Sequence, residues 1–422
     1  RLIAPLGIEQ GQVVVMAVSA GGSVLIEHAP PSDPAETAAT GVRIVPDLNR
    51  LDLSYRGFPT LDGLKADDSG RIVGPKAAKL GELKRSYPDA VARGVVIPFG
   101  EFRQFLDRPK VGTDGSIFAW MEREYARLDQ IENPDERTAQ TEAFRRELEH
   151  SILGLEMGQP FEDRLRAAMT ATFGAEGTYG VFVRSDTNVE DLPGFTGAGL
   201  NLTLANVVGT DAIFAGIKRV WASPFSARAF AWRQALMTLP QHVYPSVLLL
   251  ETVPVEKSGV MVTSDVDTGN TGWLSIAVNE GVGGAVDGQP AEALRVETAT
   301  GRVKLLAEAS APWKRTVPPT GGVEMVRASG SSRILTAAEI GILVTFAASL
   351  PDRFPAVIDA EGRLAAADVE FGFLGGQLRL FQIRPFLDNA QARNSAYLSS
   401  LDTASKQLGN ISVNLNERPN QP

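Results

Sequence analysis

The chain has 422 residues, 44% hydrophobic and 22% charged, which is a globular composition long enough for two or three domain-sized units. A formal net charge of -9 and the lack of a basic stripe argue against a general nucleic-acid binder. The absence of cysteine excludes disulfides, thiolate metal sites and a thiol nucleophile, and no stretch approaches the roughly 18 uncharged apolar residues of a membrane span.

In chain order, "GQVVVMAVSAGGSVLIEHA" has two apolar runs around Gly21-Gly22 and predicts a β-hairpin, followed by the linker "PPSDPAETAATG". "GPKAAKLGELKRSYP" predicts a helix opened at Gly74-Pro75 and closed near Pro88. "GVVIPFGEFRQFL" reads as strand, turn and helix, and residues 114–172 as mostly helical with a break at "ENPDE". A strand at Gly180–Val183 leads into "RSDTNVEDLPGFTGAG". "DAIFAGIKRVWASPFSARAFAWRQAL" is helical on both sides of Pro224. From about residue 245 strands dominate: "SVLLLETVPV", "SGVMVTSDV", "WLSIAVNEG" and "EALRVETATGRVKLL". "TAAEIGILVTFAASL" is a helix with Thr336 and Glu339 spaced as a capping box, and "AADVEFGFLGGQLRLFQIRPF" is a hairpin. The stretch 389–422 is polar, with a short helix expected before it frays.

Three polar islands sit at the ends of apolar elements. Lys76 lies within a turn of a helix start, where unpaired N–H groups and the dipole favour an anion, or it is a solvated lysine beside a Gly-Pro turn. Arg184 ends the strand before a loop containing Gly194, Gly197 and Gly199. It can hold phosphate oxygens in a fork, or pair with Glu190 or Asp191 across the loop. In the hairpin, Asp368 and Glu370 share one strand face, and Gln382 and Arg384 share a face of the partner strand. Carboxylate and amide oxygens suit Mg²⁺ bridging phosphates, and an exposed face of salt bridges is the other reading.

"GPKAAKLGEL", "VRSDTNVEDLPGFTGAG", "IKRVWASPFSARAFAWR", "SGVMVTSD" and "DVEFGFLGGQLRLFQIRP" occur in that order. Together they resemble the ATP-binding domain of the pyruvate phosphate dikinase and phosphoenolpyruvate synthase family. Glucan water dikinases and rifampin phosphotransferase share that domain. The resemblance covers about residues 70–388. It implies an α+β, ATP-grasp fold with ATP between two subdomains. It also implies that Lys76 and Arg184 bind ATP phosphates, that Glu370 and Gln382 hold Mg²⁺, and that Arg384 reaches the transferred phosphoryl group. Glu251, Thr252 and Val253 fall where the family has its adenine-contacting hinge. Two positions depart from the family pattern: Gly284 stands where an acid is usual, in "NEGVGGAVDG", and Leu250 replaces a glutamine of the hinge. The family passes phosphate through a histidine in a Ser-His or Thr-Ser-His context. His28, His150 and His242 have other contexts and read as structural.

The implied function is an ATP-dependent phosphotransferase that cleaves ATP to AMP and passes the β-phosphoryl to a histidine on a mobile domain, then to an unknown acceptor. A degenerate ATP-grasp module that binds nucleotide to regulate or dock a partner is the alternative. The chain begins at Arg1 rather than Met. The expectation is that the carrier domain precedes it in the native protein, so that this chain alone does not complete the transfer. The expected divisions are residues 1–45 as the end of an upstream domain plus linker, 46–240 and 241–388 as the two subdomains, and 389–422 as a tail. Neither nucleic acid nor membrane is expected as a partner, and the cytoplasm is the expected location.

The hairpin carries a geometric condition. A two-residue Gly375-Gly376 loop pairs Leu374 with Gln377 and puts Glu370 and Gln382 on opposite faces. A three-residue loop, or a bulge with the same effect, sets Glu370 opposite Gln382 and Asp368 opposite Arg384. A shared metal requires the second case.

Overall fold

In a computed structural model of the chain, residues 14–18, 24–28, 44–154, 156–190, 202–359 and 362–386 are described. The loop glycines Gly194, Gly197 and Gly199, Asp191 and the tail from 389 lie outside them. Helices and antiparallel strands mix in the α+β manner. Among the described residues no helix is long and apolar enough to cross a membrane. The first two strands, β1 (Val14–Val18) and β2 (Val24–His28), pair antiparallel with Val18 opposite Val24, as the two apolar runs predict.

The first large sheet contains β3 (Gly94–Ile97), β4 (Gly180–Thr187), β5 (Thr203–Val208) and β6 (Pro245–Glu251), in the order β3-β6-β4-β5 with every pairing antiparallel. Alternation along these strands splits two hydrophobic cores. Val95, Ile97, Val181, Val183, Val247 and Leu249 face one side. There they meet α2 (Phe99–Leu106), α3 (Ile117–Asp129), α5 (Gln159–Phe173) and α6 (Thr210–Ala222), with α4 (Pro134–Gly154) beyond. Val96, Leu248 and Leu250 face the other side, toward α1 (Pro75–Ser86) and the second sheet. With both faces covered, β6 can be an unbroken apolar run, which is why "SVLLL" shows no period-two pattern. After α6 the chain turns at Pro224 into α7 (Ala227–Leu236), as read.

The second sheet has six strands, in the order β10-β9-β8-β7-β13-β14. They are β7 (Lys257–Val262), β8 (Trp273–Glu280), β9 (Glu292–Glu297), β10 (Val303–Ala307), β13 (Ala367–Leu374) and β14 (Gln377–Pro385). Its two faces are unlike. One row across the sheet reads Ile383, Val369, Met261, Ile276, Leu294, all buried. It packs under α8 (Ala337–Arg353), whose Thr336–Glu339 capping box is present. The rows on the opposite face read Gln382, Glu370, Val260, Ala277, Ala293 and Arg384, Asp368, Val262, Ser275, Arg295. Polar side chains therefore gather on one face, at the β13–β14 edge.

Three features differ from the sequence reading. β4 does not stop at Val183. It continues through Thr187, so Arg184 sits inside a strand rather than at its end. The boundary after residue 240 falls before β6, yet β6 is hydrogen-bonded between β3 and β4, so the chain leaves the first sheet only after Glu251. Its neighbours in sequence could not reveal this, because sheet membership is set by long-range pairing. β5 and a small hairpin, β11 (Trp313–Thr316) with β12 (Glu324–Arg327), were also unread. The segment joining β11 and β12 reaches β5. There the side-chain amide of buried Asn206 donates to the carbonyls of Pro318 (2.8 Å) and Gly322 (2.9 Å), and the Asn206 main-chain carbonyl accepts from the Gly322 N–H (2.8 Å). Asn206 does this at a φ of 49°, a region that asparagine tolerates better than most residues.

The β13–β14 hairpin meets its geometric condition by the bulge, with Glu370 opposite Gln382 and Asp368 opposite Arg384. Gly375 (φ 57°) and Gly376 (φ 74°) form a tight two-residue turn that pairs Leu374 with Gln377. Both central residues are left-handed, as the favoured hairpin turn requires. A bulge then inserts Phe381 between the pairs Phe371–Leu380 and Glu370–Gln382. The longer loop is absent, and the bulge has its effect. Replacing Gly375 or Gly376 by alanine puts an L-residue into the left-handed region and is expected to cost about 1–2 kcal/mol each. Urea unfolding should show this as a lower midpoint at unchanged slope.

Candidate nucleotide-binding site

Along β4, Phe182, Arg184 and Asp186 share a face, opposite to that of Val181 and Val183. This face looks toward α1 and the β13–β14 edge. Arg184 is 8% exposed and crosses from the first sheet to the second. It donates from Nη1 to the Phe381 carbonyl (3.0 Å) and from Nη2 to Gln382 Oε1 (2.6 Å), and its Nη2 lies 3.9 Å from Glu370 Oε2. The bulge thus does two things. It places the Phe381 carbonyl where Arg184 donates to it, and it turns Gln382 onto the same face as Glu370.

Beside this pair, Asp368 and Arg384 are directly opposed, and Arg384 Nε donates to Asp368 Oδ2 (2.9 Å). Glu370 and Gln382 therefore offer two hard oxygens side by side, with a guanidinium already lying against both. Such oxygens are of the type that a divalent cation takes as ligands. Among the described residues no cluster of three or more acidic or histidine side chains could hold a metal alone. An ion at Glu370 and Gln382 would draw its remaining ligands from phosphate oxygens or water, which is the usual habit of Mg²⁺.

Lys76 lies in the first turn of α1, as expected, but the anion at that helix start is internal. The Asp186 carboxylate accepts from Lys76 N (2.9 Å) and Ala77 N (2.8 Å), and Ser246 Oγ accepts from Gly74 N (3.0 Å). Pro75 has no N–H, so the three donors of this helix start are satisfied from β4 and β6. The expectation that they await a phosphate is corrected accordingly. The Lys76 ammonium is bonded to Glu190 and to the Ser185 carbonyl (3.2 Å). Glu190 thus partners Lys76 and not Arg184. Burial pushes the Asp186 carboxyl up and the Glu190 charge adds to this, while Lys76 and the two main-chain donors oppose it.

The link from β6 to β7 runs from the first sheet to the second. Glu251 ends β6 in an ion pair with Arg93, whose Nε donates to Glu251 Oε2 (2.9 Å). The Thr252 N–H donates to the Gly180 carbonyl (2.9 Å), and the Val253 carbonyl accepts from Val255 N–H (2.8 Å). Thr252 Oγ1 is buried without a hydrogen-bond partner, so this link retains an unused polar atom. Leu250 is 3% exposed within the core and presents no polar group. Around Gly284, the space a side chain would take is filled by Asn279 and by Gln289, whose Oε1 is likewise buried and unpartnered. His242 is half-buried, with Nδ1 3.1 Å from the Tyr244 hydroxyl, and His150 is exposed on α4.

Lys76, Arg184, Glu370, Gln382 and Arg384 are thus brought around one junction of α1, β4 and the β13–β14 hairpin, while Glu251 ends β6 and Thr252 and Val253 begin the link between the sheets. Asp186 and Ser246 were missed. A signal for them existed: a helix opening at Gly74-Pro75 has no Ser, Thr, Asp or Asn cap, so its donors had to be met from elsewhere.

Gly74 is what lets Asp186 approach, since a Cβ at that position would overlap the Asp186 carboxylate and its main-chain carbonyl carbon. Gly74→Ala is expected to destabilise the protein by about 1–3 kcal/mol, the range of overpacking in a close-packed interior. Chemical denaturation measures this directly.

The family described as "Pyruvate phosphate dikinase, AMP/ATP-binding domain" matches residues 70–404. A probable phosphoenolpyruvate synthase of Methanothermobacter thermautotrophicus is 26% identical over 354 residues, 82% of this chain and 48% of the relative. Its counterpart in Archaeoglobus fulgidus is 30% identical over 320 residues, 74% of this chain and 39% of the relative. A rifampicin phosphotransferase of a Streptomyces species is 29% identical over 215 residues, 51% of this chain and 23% of the relative. The chain spans less than half the length of each of these relatives. With most of its length matched, the chain belongs to the pyruvate phosphate dikinase AMP/ATP-binding domain family.

Proposed function

We propose that the chain is the ATP-binding, phosphoryl-donating part of a dikinase-type phosphotransferase with an ATP-grasp arrangement. ATP would lie between the two sheets, against the link Glu251, Thr252, Val253. One observation carries this reading. Arg184 reaches from the first sheet to Gln382 and Glu370 of the second, so that a fork of donors and two metal-type oxygens meet at the junction.

The reaction proposed is cleavage of ATP to AMP, with the β-phosphoryl passing to a histidine of a carrier domain outside this chain and the γ-phosphate to water or phosphate. His28, His150 and His242 take no part in it. Phosphoryl transfer needs little covalent chemistry from the protein and depends on positioning and charge neutralisation. Arg184 and Lys76 supply positive charge to the phosphate chain, and Arg384 supplies it to the transferred group. Both Lys76 and Arg184 hold internal partners, Glu190 and Gln382, so nucleotide binding is an exchange of partners. Mg²⁺ held by Glu370 and Gln382 would neutralise phosphate charge. The final acceptor is set by domains beyond this chain.

A second reading, a nucleotide-binding module without turnover, has a specific basis: Leu250 is buried among apolar neighbours and Gly284 offers no acid. The two readings part on catalysis. Full-length protein that releases AMP from ATP is a phosphotransferase, whereas binding without AMP release makes it a module.

Arg184→Met is expected to weaken ATP binding at least tenfold, about 1.4 kcal/mol. Calorimetry at saturating Mg²⁺ reads this, and an unchanged affinity would remove Arg184 from the site. Glu370→Ala should abolish the Mg²⁺ dependence of ATP affinity while leaving metal-free binding in place. Titrations with and without Mg²⁺ compare the two.

A further inference from the structure

We propose that Asp186 is a positioning residue for nucleotide binding, acting through Lys76. This rests on the reading of the site as an ATP site. Asp186 is wholly inaccessible to solvent, which is costly for a carboxylate unless its oxygens are well used. One oxygen accepts from Lys76 N and the other from Ala77 N, so the carboxylate closes the first turn of α1. Its main-chain carbonyl accepts from Ser246 Oγ (2.7 Å), and the same Oγ accepts from Gly74 N. Asp186, Ser246 and Gly74 thus form a closed set of bonds that pins the start of α1 to β4 and β6.

The consequence follows from where Asp186 sits. It lies two residues beyond Arg184 on the same face of β4 and holds the main-chain N–H of Lys76 itself. The two cations proposed for the phosphates are therefore tied together through one carboxylate. A rotation or slide of α1 against β4 would separate them, and Asp186 resists both. Bonds from a charged group to main-chain N–H groups are the stronger kind, and here they are shielded from water. The cap is brought in from a residue about 110 positions away in sequence, where a local Ser, Thr or Asp at position 74 could have capped the helix without fixing it to β4.

Asp186→Asn tests this in the full 422-residue chain, because it keeps the size of the side chain but turns one acceptor into a donor that faces an N–H. ATP affinity is measured by calorimetry at a temperature well below unfolding, in the unaltered chain, in Asp186→Asn, in Lys76→Met and in the double variant. The expected result is about a tenfold loss for Asp186→Asn with Lys76 present, and less than a twofold further loss in the Lys76→Met background. An equal loss in both backgrounds reveals a general structural effect and overturns the inference, as does an unchanged affinity in the single variant. If Asp186→Asn does not fold, Ser246→Ala releases Gly74 N without disturbing a buried charge. The same cycle then applies, with a smaller loss of about threefold that also vanishes when Lys76 is methionine. Absence of ATP binding by the unaltered chain overturns the functional reading and this inference together. Failure of the inference alone shows as normal binding with an additive cycle.

Discussion

The register of the β13–β14 hairpin depends on one extra residue. Gly375-Gly376 impose a tight turn, and a tight turn alone would place Gln382 opposite Val369, facing the apolar layer under α8. Inserting Phe381 shifts the ladder by one residue, and a shift of one reverses every side chain beyond it. Gln382 and Arg384 then join Glu370 and Asp368 on the polar face, and Ile383 joins Val369 in the core. Arg184 donates to the carbonyl of the inserted Phe381 from the other sheet. Bulge, core layer and cross-sheet contact are one event seen from three sides.

Charge at the junction is balanced in pairs: Lys76 with Glu190, Arg384 with Asp368, and Arg184 with Glu370 and the amide of Gln382. Lys76, Glu190 and Arg184 are largely buried, where isolated charges would be costly and mutual attraction is worth more than at the surface. The same pairing restrains ligand binding, since an anion must compete with carboxylates already in place. Under the proposed function, a nucleotide carrying a divalent cation would bring less net negative charge to that competition than a bare one.

Other connections join the sheets away from this junction. One is covalent, the link Thr252–Glu256 between β6 and β7, anchored by Thr252 to Gly180. Another is the tip of the β11–β12 hairpin on Asn206. The contact at Asn206 is made by three hydrogen bonds. The segment before β3 also reaches β14, where the Leu380 N–H donates to the Ala90 carbonyl (2.8 Å).

The sequence determined much locally. The helices around "ENPDE" and Pro224, the capping box at Thr336, the paired apolar runs near the start and the polar faces of the last hairpin are short-range patterns, and the five ordered motifs carried the family. Tertiary structure decided what short-range patterns cannot hold. The capping of α1 by Asp186 joins positions about 110 residues apart, and β6 belongs to the first sheet because β3 and β4 pair with it on either side. The hairpin shows the limit most directly. Its glycines called for the tight turn, its polar residues called for the other register, and both were right. The sequence could not choose, because a bulge is stabilised by partners on both sides, here the apolar layer that takes Ile383 and the Arg184 guanidinium that donates to the Phe381 carbonyl, and Arg184 lies nearly two hundred residues away.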